Sequence, residues 1–115
     1  MPSNHYRNPF VNITKNSSKR SIDLDQIIRL EADINYTSLF TATDNYIIAK
    51  TLKDFEESLD PKQFIRTHKS HIINKNHIEK VLVKTGERKV LLKSGETVEI
   101  ARRRLKEVIR SINPY

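Results

Sequence analysis

The alternation of apolar and polar positions predicts that short β-strands make up most of this chain. Within residues 21–43 the alternation runs through residues 30–34 and again through residues 36–40, with an interruption near Asp33–Asn35. A period of two is typical of a strand with one buried face. The segment is also rich in Ile, Leu, Thr, Phe and Tyr, which favour strands. We therefore predict two strands here, joined by a short connection.

Turn-forming residues mark out further strands along the chain. A strand near residues 10–13 precedes the turn sequence at 16–18, and a compact strand at 46–49 follows the hairpin signal Asp44-Asn45. Residues 64–67 can return to the sheet. Beyond Asn76, runs at 78–83, 89–92 and 97–100 are separated by turns that contain the two glycines of the chain, Gly86 and Gly95. This punctuation predicts a three-stranded meander.

Two segments have the spacing of helices instead. Thr51 is a good N-cap with Asp54 three residues later, apolar residues follow at positions 52, 55 and 59, and Asp60-Pro61 ends the helix. Residues 101–112 place apolar side chains at 105, 108, 109 and 112 on one helical face. The expected fold class is therefore mainly β, with one internal short helix and a C-terminal helix.

The length and composition of this chain predict one domain and exclude several kinds of chemistry. A chain of 115 residues can form one domain with a core, and we predict a flexible N-terminal arm over residues 1–9 and a single domain over residues 10–115. Without cysteine there can be no disulfide, thiolate metal ligand or cysteine nucleophile. No stretch approaches the roughly 20 apolar residues of a membrane span. We expect a cytoplasmic protein with no membrane partner.

Positive charge is concentrated in the second half of the chain. The formal net charge is +7 and the sequence pI is about 9.8. Residues 1–57 contain seven basic and eight acidic side chains, a balance of −1, whereas residues 58–115 contain fourteen basic and six acidic ones, a balance of +8. A basic surface of this kind favours a phosphate-bearing partner, and nucleic acid is the first candidate.

The sequence F-I-R-T-H-K-S-H-I-I-N-K-N-H-I, residues 64–78, places polar donors among regularly spaced apolar residues. The apolar residues can anchor the segment in a core, which leaves the donors facing a partner. Arg and Lys can donate to guanine O6 and N7 or to phosphate, while Ser and neutral His make short polar contacts. The alternative to a binding surface is a solvated loop. The donors are Arg66, His68, Lys69 and Ser70.

Two other segments are candidates for the same surface. Arg102, Arg103 and Arg104 lie where the last strand meets the final helix, and positive charge is unfavourable at a helix N-terminus unless an anion is nearby. A solvated basic patch is the alternative there. The connection around Asp33–Thr37 could reach a groove through its polar side chains, or it could be a simple turn with a core tyrosine. Its candidate residues are Asn35, Tyr36 and Thr37.

Two other functions must be weighed against nucleic-acid binding. His68, His71 and His77 could suggest a zinc site or a metal-dependent nuclease, but the segment should change direction, and only Glu79 offers a nearby carboxylate. We therefore expect no metal, no cofactor, no small-molecule substrate and no catalysis. The second alternative is a basic protein-interaction module that docks on an acidic partner. Salt would weaken that binding too, but it would show no preference among DNA sequences.

Taken together, these segments resemble the LytTR family of bacterial DNA-binding domains, the output modules of many two-component response regulators. The resemblance rests on I-I-R-L-E-A-D-I-N-Y-T at 27–37, T-L-K-D-F-E-E-S-L at 51–59, F-I-R-T-H-K-S-H-I-I-N at 64–74 and I-A-R-R-R-L-K-E-V at 100–108. It implies an elongated stack of small antiparallel β-sheets. It also implies sequence-specific binding of double-stranded DNA in transcription regulation, by loops in successive major grooves. Paired direct repeats, with weak self-association on DNA, are expected as the target.

The resemblance also assigns roles to individual residues. Lys69 and an arginine of the pair Arg102 and Arg103, above all Arg103, would contact bases, with Thr37 at the first-loop position. Phosphate or positioning contacts would come from Asn35, Tyr36, Arg66, His68, Ser70 and Arg104. The chain departs from the family at His71, where an aromatic residue is usual, and at Ala101, where serine is common. A receiver domain does not fit in 115 residues, so we expect either a stand-alone regulator or an excised domain.

Overall fold

The computed structural model describes residues 9–112, which form ten strands and two α-helices. The predicted mainly β fold class, with one internal short helix and a C-terminal helix, is confirmed. The described part is elongated, with principal extents of 47 × 36 × 24 Å. The strands are β1 (Phe10–Lys15), β2 (Ser18–Asp23), β3 (Arg29–Asp33), β4 (Tyr36–Phe40), β5 (Asn45–Ile48), β6 (Phe64–His68), β7 (His71–Asn74), β8 (Ile78–Lys84), β9 (Glu87–Leu92) and β10 (Thr97–Glu99). The helices are α1 (Leu52–Ser58) and α2 (Leu105–Ile112).

The strands form three antiparallel sheets. The hairpin of β1 and β2 is one sheet, the central sheet has the order β5-β4-β3-β7-β6, and the predicted meander forms the third sheet in the order β10-β9-β8. Three single-turn 3₁₀ helices, at 24–26, 75–77 and 102–104, connect strands or lead into α2. Every neighbouring pair is antiparallel, and the neighbours that are also consecutive in the chain are joined by short turns. The pair of β3 and β7 brings together strands that are far apart in the chain.

The central sheet lies between two hydrophobic cores. Ile72 and Ile73 are consecutive on β7, and both are buried, because successive side chains of a strand point to opposite faces. The face of Ile72 packs with the β1–β2 hairpin and α1, and the face of Ile73 packs with the three-stranded sheet and α2. Both faces of the central sheet are therefore covered where β6 and β7 run, and this fixes their register and their connecting turn.

The predicted start of α1 is confirmed in detail, while the second helix differs from its prediction. The side chain of Thr51 accepts a hydrogen bond from the backbone of Asp54, and the Asp54 carboxylate accepts one from the Thr51 N–H, which makes a complete capping box. Residues 102–104, predicted as the first turn of the C-terminal helix, form a 3₁₀ turn instead. Ala101, the residue before this turn, makes no side-chain capping hydrogen bond.

Ile34 lies outside the alternation that the sequence indicated. It has a φ of 54° in the turn between β3 and β4, and it is 91% exposed. On β4 the buried side chains are those of Thr37 and Leu39, whereas Tyr36 and Phe40 lie on the more exposed face. The face of the sheet that is buried is decided by which elements cover it, and the period of two does not contain that information.

Asn74 ends β7 as a fully buried polar residue that ties three backbone groups together. Its side-chain amide donates to the carbonyls of Ile27 at 2.8 Å and Leu24 at 3.2 Å, and its carbonyl oxygen accepts the N–H of Asn76 at 3.0 Å. Buried polar groups require such partners. The last residue of the motif I-I-N therefore secures the scaffold at the end of β7 opposite to the turn that follows β6.

The predicted N-terminal arm falls almost wholly outside the described residues. Of residues 1–9 only Pro9 is described, and its carbonyl accepts the N–H of Leu24 at 2.9 Å. Within residues 9–112 no helix has the length and apolar character needed to cross a membrane.

Candidate nucleic-acid interface

Two turns and a strand end lie together at one end of the central sheet. The β3–β4 turn, residues 34–35, follows the pair of Asp33 with Tyr36, and the β6–β7 turn, residues 69–70, follows the pair of His68 with His71. Because β3 pairs with both β4 and β7 in antiparallel register, the two turns project from the same end of the sheet. The last residue of β5 also lies near this end, since Ile48 pairs with Thr37.

Backbone hydrogen bonds join these turns to the arginine segment. The Ala32 N–H donates to the Ser70 carbonyl at 2.9 Å, and the Ala101 N–H donates to the Thr67 carbonyl at 2.8 Å. Thr67 lies at a break in the register between β6 and β7. Such an irregularity frees backbone groups from the hydrogen bonds between the strands. Here the freed carbonyl accepts a hydrogen bond from Ala101, the residue just before Arg102. The three segments that the sequence indicated separately therefore form one surface.

Lys69 stands at the tip of the β6–β7 turn with an exposed side chain. The backbone on either side of it is held firmly, because the carbonyls of residues 68, 69 and 70 all accept hydrogen bonds. His68 contributes through its ring: Nδ1 accepts the Ser70 N–H at 3.1 Å, so the neutral ring carries its proton on Nε2. A rigid backbone with a free ammonium is well suited to placing one charge at a defined point.

Arg102 and Arg103 are exposed, while Arg104 is half-buried. The 3₁₀ turn is closed by the Arg104 N–H, which donates to the Ala101 carbonyl at 2.9 Å. With about three residues per turn, successive side chains of a 3₁₀ helix point in directions roughly 120° apart. One guanidinium of the exposed pair can therefore face a groove of a nucleic acid while the other faces its phosphate backbone.

Thr37 and Arg66 are placed differently from the prediction. Thr37 is fully buried and its hydroxyl donates to the Lys50 carbonyl at 2.7 Å, so its side chain does not reach the surface. The exposed side chains of the first loop include those of its neighbours Asn35 and Tyr36. The Arg66 guanidinium is turned inward, with 16% of its side chain exposed, and it bonds to protein groups where a phosphate or positioning contact with DNA was predicted.

Two further exposed residues of this surface, Ile34 and Lys50, are not among those predicted from the sequence. Ile34 presents an exposed apolar side chain in the left-handed backbone region, where a β-branched residue is strained. A side chain of this kind can contact a thymine methyl group. Lys50 is exposed beside the buried hydroxyl of Thr37. In the sequence, the only signs of these residues are an isoleucine inside a polar turn and a lysine just before a helix cap. Both features are common on protein surfaces that bind nothing, so they do not single out a binding site.

His71 lies directly behind the candidate interface, at the start of β7. Burial lowers the pKa of its imidazole below the ordinary value of 6.5, and the charges of His68 and Arg29 act in the same direction. The Glu31 carboxylate, whose Oε1 is 3.9 Å from Nδ1, opposes the shift. Glu99 also favours the protonated form. The net result is a neutral histidine in a position where the resemblance indicated an aromatic ring.

The lowered pKa of His71 predicts that the fold loses stability as the pH falls through about 6.5. Below that value the unfolded chain binds a proton that the folded chain resists, at a cost of less than about 1.4 kcal/mol per pH unit. Replacing His71 with phenylalanine should remove this part of the pH dependence. The check is the free energy of unfolding by urea at about pH 7.5 and about pH 5.5 for both proteins. An equal loss between the two pH values in both would contradict the assignment.

The histidines do not assemble a metal centre in the described part of the chain. His68 and His71 have ring centroids 5.4 Å apart, but the Nε2 of His77 is hydrogen-bonded to the Asp25 carbonyl at 2.9 Å. Among residues 9–112 no three His, Asp or Glu side chains are grouped so that they could hold a metal ion. The histidines of this segment therefore take part in turn geometry and packing.

Comparison with known proteins agrees with this architecture. Residues 17–113 match the family model of the LytTr DNA-binding domain. The heme-containing CO-sensing transcriptional regulator RcoM 1 of Paraburkholderia xenovorans is 36% identical over 66 residues, which are 57% of this chain and 24% of that protein. The transcriptional regulatory protein LytR of Staphylococcus aureus is 36% identical over 55 residues, 48% of this chain and 22% of that protein.

The fold agrees as well. A solved LytTr DNA-binding domain from Bacillus cereus superposes with a TM-score of 0.80 at 21% identity, covering 94% of this chain and 99% of that one. The chain spans less than a quarter of the length of the curated relatives it matches. Since the family model covers most of the sequence and the fold is the same, the chain belongs to the LytTr DNA-binding domain family.

Proposed function

We propose that this chain binds specific sequences of double-stranded DNA through loops placed in the major groove, and that it acts in transcription regulation as an output module. The observation that carries the proposal is the convergence of the Lys69 turn, the Asn35–Tyr36 turn and the Arg102–Arg103 pair at one end of the central sheet. The relatives named as transcriptional regulators support the biological role. The proposed activity requires no cofactor and no catalytic group.

Each exposed side chain has a chemical role in this proposal. The ammonium of Lys69 and the guanidinium of Arg103 donate to guanine O6 and N7, contacts that discriminate between base pairs. Arg102 lies beside Arg103 and reaches either a base edge or the adjacent strand. Contacts to phosphate, which fix the orientation on the duplex, come from Asn35, Tyr36, His68, Ser70 and Arg104.

The size of the surface suggests how the target is organised. Three short loops from one domain of residues 10–115 cover few base pairs, and a second copy on a repeat one helical turn away would lie on the same side of the duplex. We therefore propose paired direct repeats as the preferred target, with weak contact between copies on DNA. The proposed setting is the cytoplasm.

Selection on a random duplex library tests the proposal. Purified protein is incubated with randomised DNA at near-physiological salt, and the bound pool is sequenced over several rounds. We expect enrichment of a short motif, repeated about 10 base pairs apart where two copies bind. Retention of DNA without enrichment would reduce the activity to non-specific phosphate binding. A failure to retain DNA would favour an acidic protein partner and contradict the proposal.

A further inference from the structure

Arg66 uses its whole guanidinium to hold the Lys69 turn. Its Nε donates to the His68 carbonyl at 3.2 Å, and its Nη2 donates to the Lys69 carbonyl at 2.5 Å. Its Nη1 donates to Oε1 of Glu56 on α1 at 2.8 Å. One planar group thus spans two consecutive carbonyls of the turn and a carboxylate of the helix, which is a geometry that only a guanidinium offers.

The third carbonyl of the turn is held from another direction. The Ser70 carbonyl accepts the Ala32 N–H, so β3 fixes one side of the turn while Arg66 fixes the other. If the two bonds from Arg66 were lost, the carbonyls of His68 and Lys69 would have to turn toward water. The direction of the Lys69 side chain would then vary, although its charge would stay at the surface.

Glu56 holds one side of the guanidinium. Arg66, Glu56 and residues of α2 border an open cleft of about 230 Å³, so packing does not confine the guanidinium on that side. Glu56 is the only carboxylate paired with Arg66 among the described residues. A helix residue ten positions away in the sequence therefore contributes to the orientation of the arginine that shapes the turn.

We infer that Arg66 and Glu56 are positioning residues for base recognition by Lys69, and that neither touches the DNA. This inference rests on the proposed function. A phosphate contact and a positioning role make opposite predictions for these residues. A phosphate contact contributes equally on every sequence and adds close to one unit to the salt dependence of binding, whereas a positioning residue affects the preferred sequence alone.

The test compares five proteins on two duplexes, the motif from the library selection and a scrambled sequence, over a range of salt concentrations. The proteins are the wild type and the variants Arg66→Ala, Arg66→Lys, Glu56→Ala and Glu57→Ala. Glu57 is the matched control, because it is exposed on the same helix and has no ion pair within residues 9–112. Thermal unfolding of each protein confirms that it is folded at the temperature of the assay.

Both Arg66 variants should bind the motif about tenfold more weakly and the scrambled duplex almost unchanged, with the same salt slope as the wild type. Lysine keeps the charge but cannot bridge two carbonyls, so Arg66→Lys should behave like Arg66→Ala. Glu56→Ala should weaken motif binding about threefold, since that carboxylate is partly exposed. Glu57→Ala removes the same charge and should bind both duplexes at least as well as the wild type.

Hydrogen exchange gives a second readout that a general loss of stability would not imitate. The Ser70 amide, which donates to the His68 ring, should exchange faster in both Arg66 variants, while the Ile73 amide in the centre of β7 stays protected. Equal losses on both duplexes, together with a reduced salt slope for Arg66→Ala, would overturn the inference and restore a phosphate contact. If the wild type itself prefers no sequence, the proposed function has failed before this inference is reached.

Discussion

Replacing Lys69 or Arg103 with alanine should abolish most of the sequence preference while leaving the protein folded. Each substitution removes a donor group from the exposed surface, and each should cost about 1–3 kcal/mol on the preferred motif. That cost corresponds to roughly a tenfold to hundredfold loss of affinity. Binding to unrelated DNA should fall only a few-fold, because the remaining basic residues still meet phosphates. The measurement is the dissociation constant on the motif and on a scrambled duplex.

Lys19 offers a matched control for Lys69. It is an exposed lysine on β2, beside the β1–β2 turn, and the neighbouring Lys15 pairs with Asp44 near the start of β5. This is the end of the central sheet away from the candidate interface, so Lys19→Ala should affect neither duplex strongly. Arg20→Ala is the corresponding control for Arg103. If the controls reduce motif binding as much as Lys69→Ala and Arg103→Ala do, base recognition at this surface is disproved.

The substitution Asn74→Ala should lower the free energy of unfolding by about 2–4 kcal/mol, the largest effect on stability that we predict. The side chain is fully buried and makes three hydrogen bonds to backbone groups. Alanine leaves the Ile27 carbonyl and the Asn76 N–H without those partners and leaves a small cavity behind. The check is the free energy of unfolding, obtained from the unfolding curve in guanidinium chloride. Asn76→Ala, at an exposed side chain, should change the same quantity by less than about 0.5 kcal/mol.

The Asn74 variant also distinguishes residues of the central motif that stabilise the fold from those that contact DNA. It lies at the end of β7 opposite to the Lys69 turn, so Asn74→Ala should keep its preference for the motif at temperatures where it is folded. A loss of preference in the folded variant would show that the scaffold at this end reaches the interface. An unchanged unfolding midpoint would contradict the role of its hydrogen bonds.

The sequence by itself determined the fold class, many of the elements and the family of the chain. Turn residues placed the three-stranded meander, and the capping box at Thr51 fixed the start of α1, because these signals act between residues close in the chain. The strands β2 and β7 were not predicted as separate elements. The family of the chain was also predictable, since its motifs are residue types at short spacings. The three candidate loops stay a prediction. These features need no knowledge of long-range pairing.

Only the tertiary structure decided which side chains face outward and how the loops meet. Thr37 and Tyr36 are adjacent in β4 and point to opposite faces of the sheet. Thr37 is buried because α1 and the β1–β2 hairpin cover its face, whereas Tyr36 lies on the other face and is exposed. Arg66 looks like a surface cation in the sequence, yet Glu56 and two carbonyls turn it inward. The bond from Ala101 to Thr67 joins residues far apart in the chain. Such contacts follow from packing and register, which local spacing does not encode.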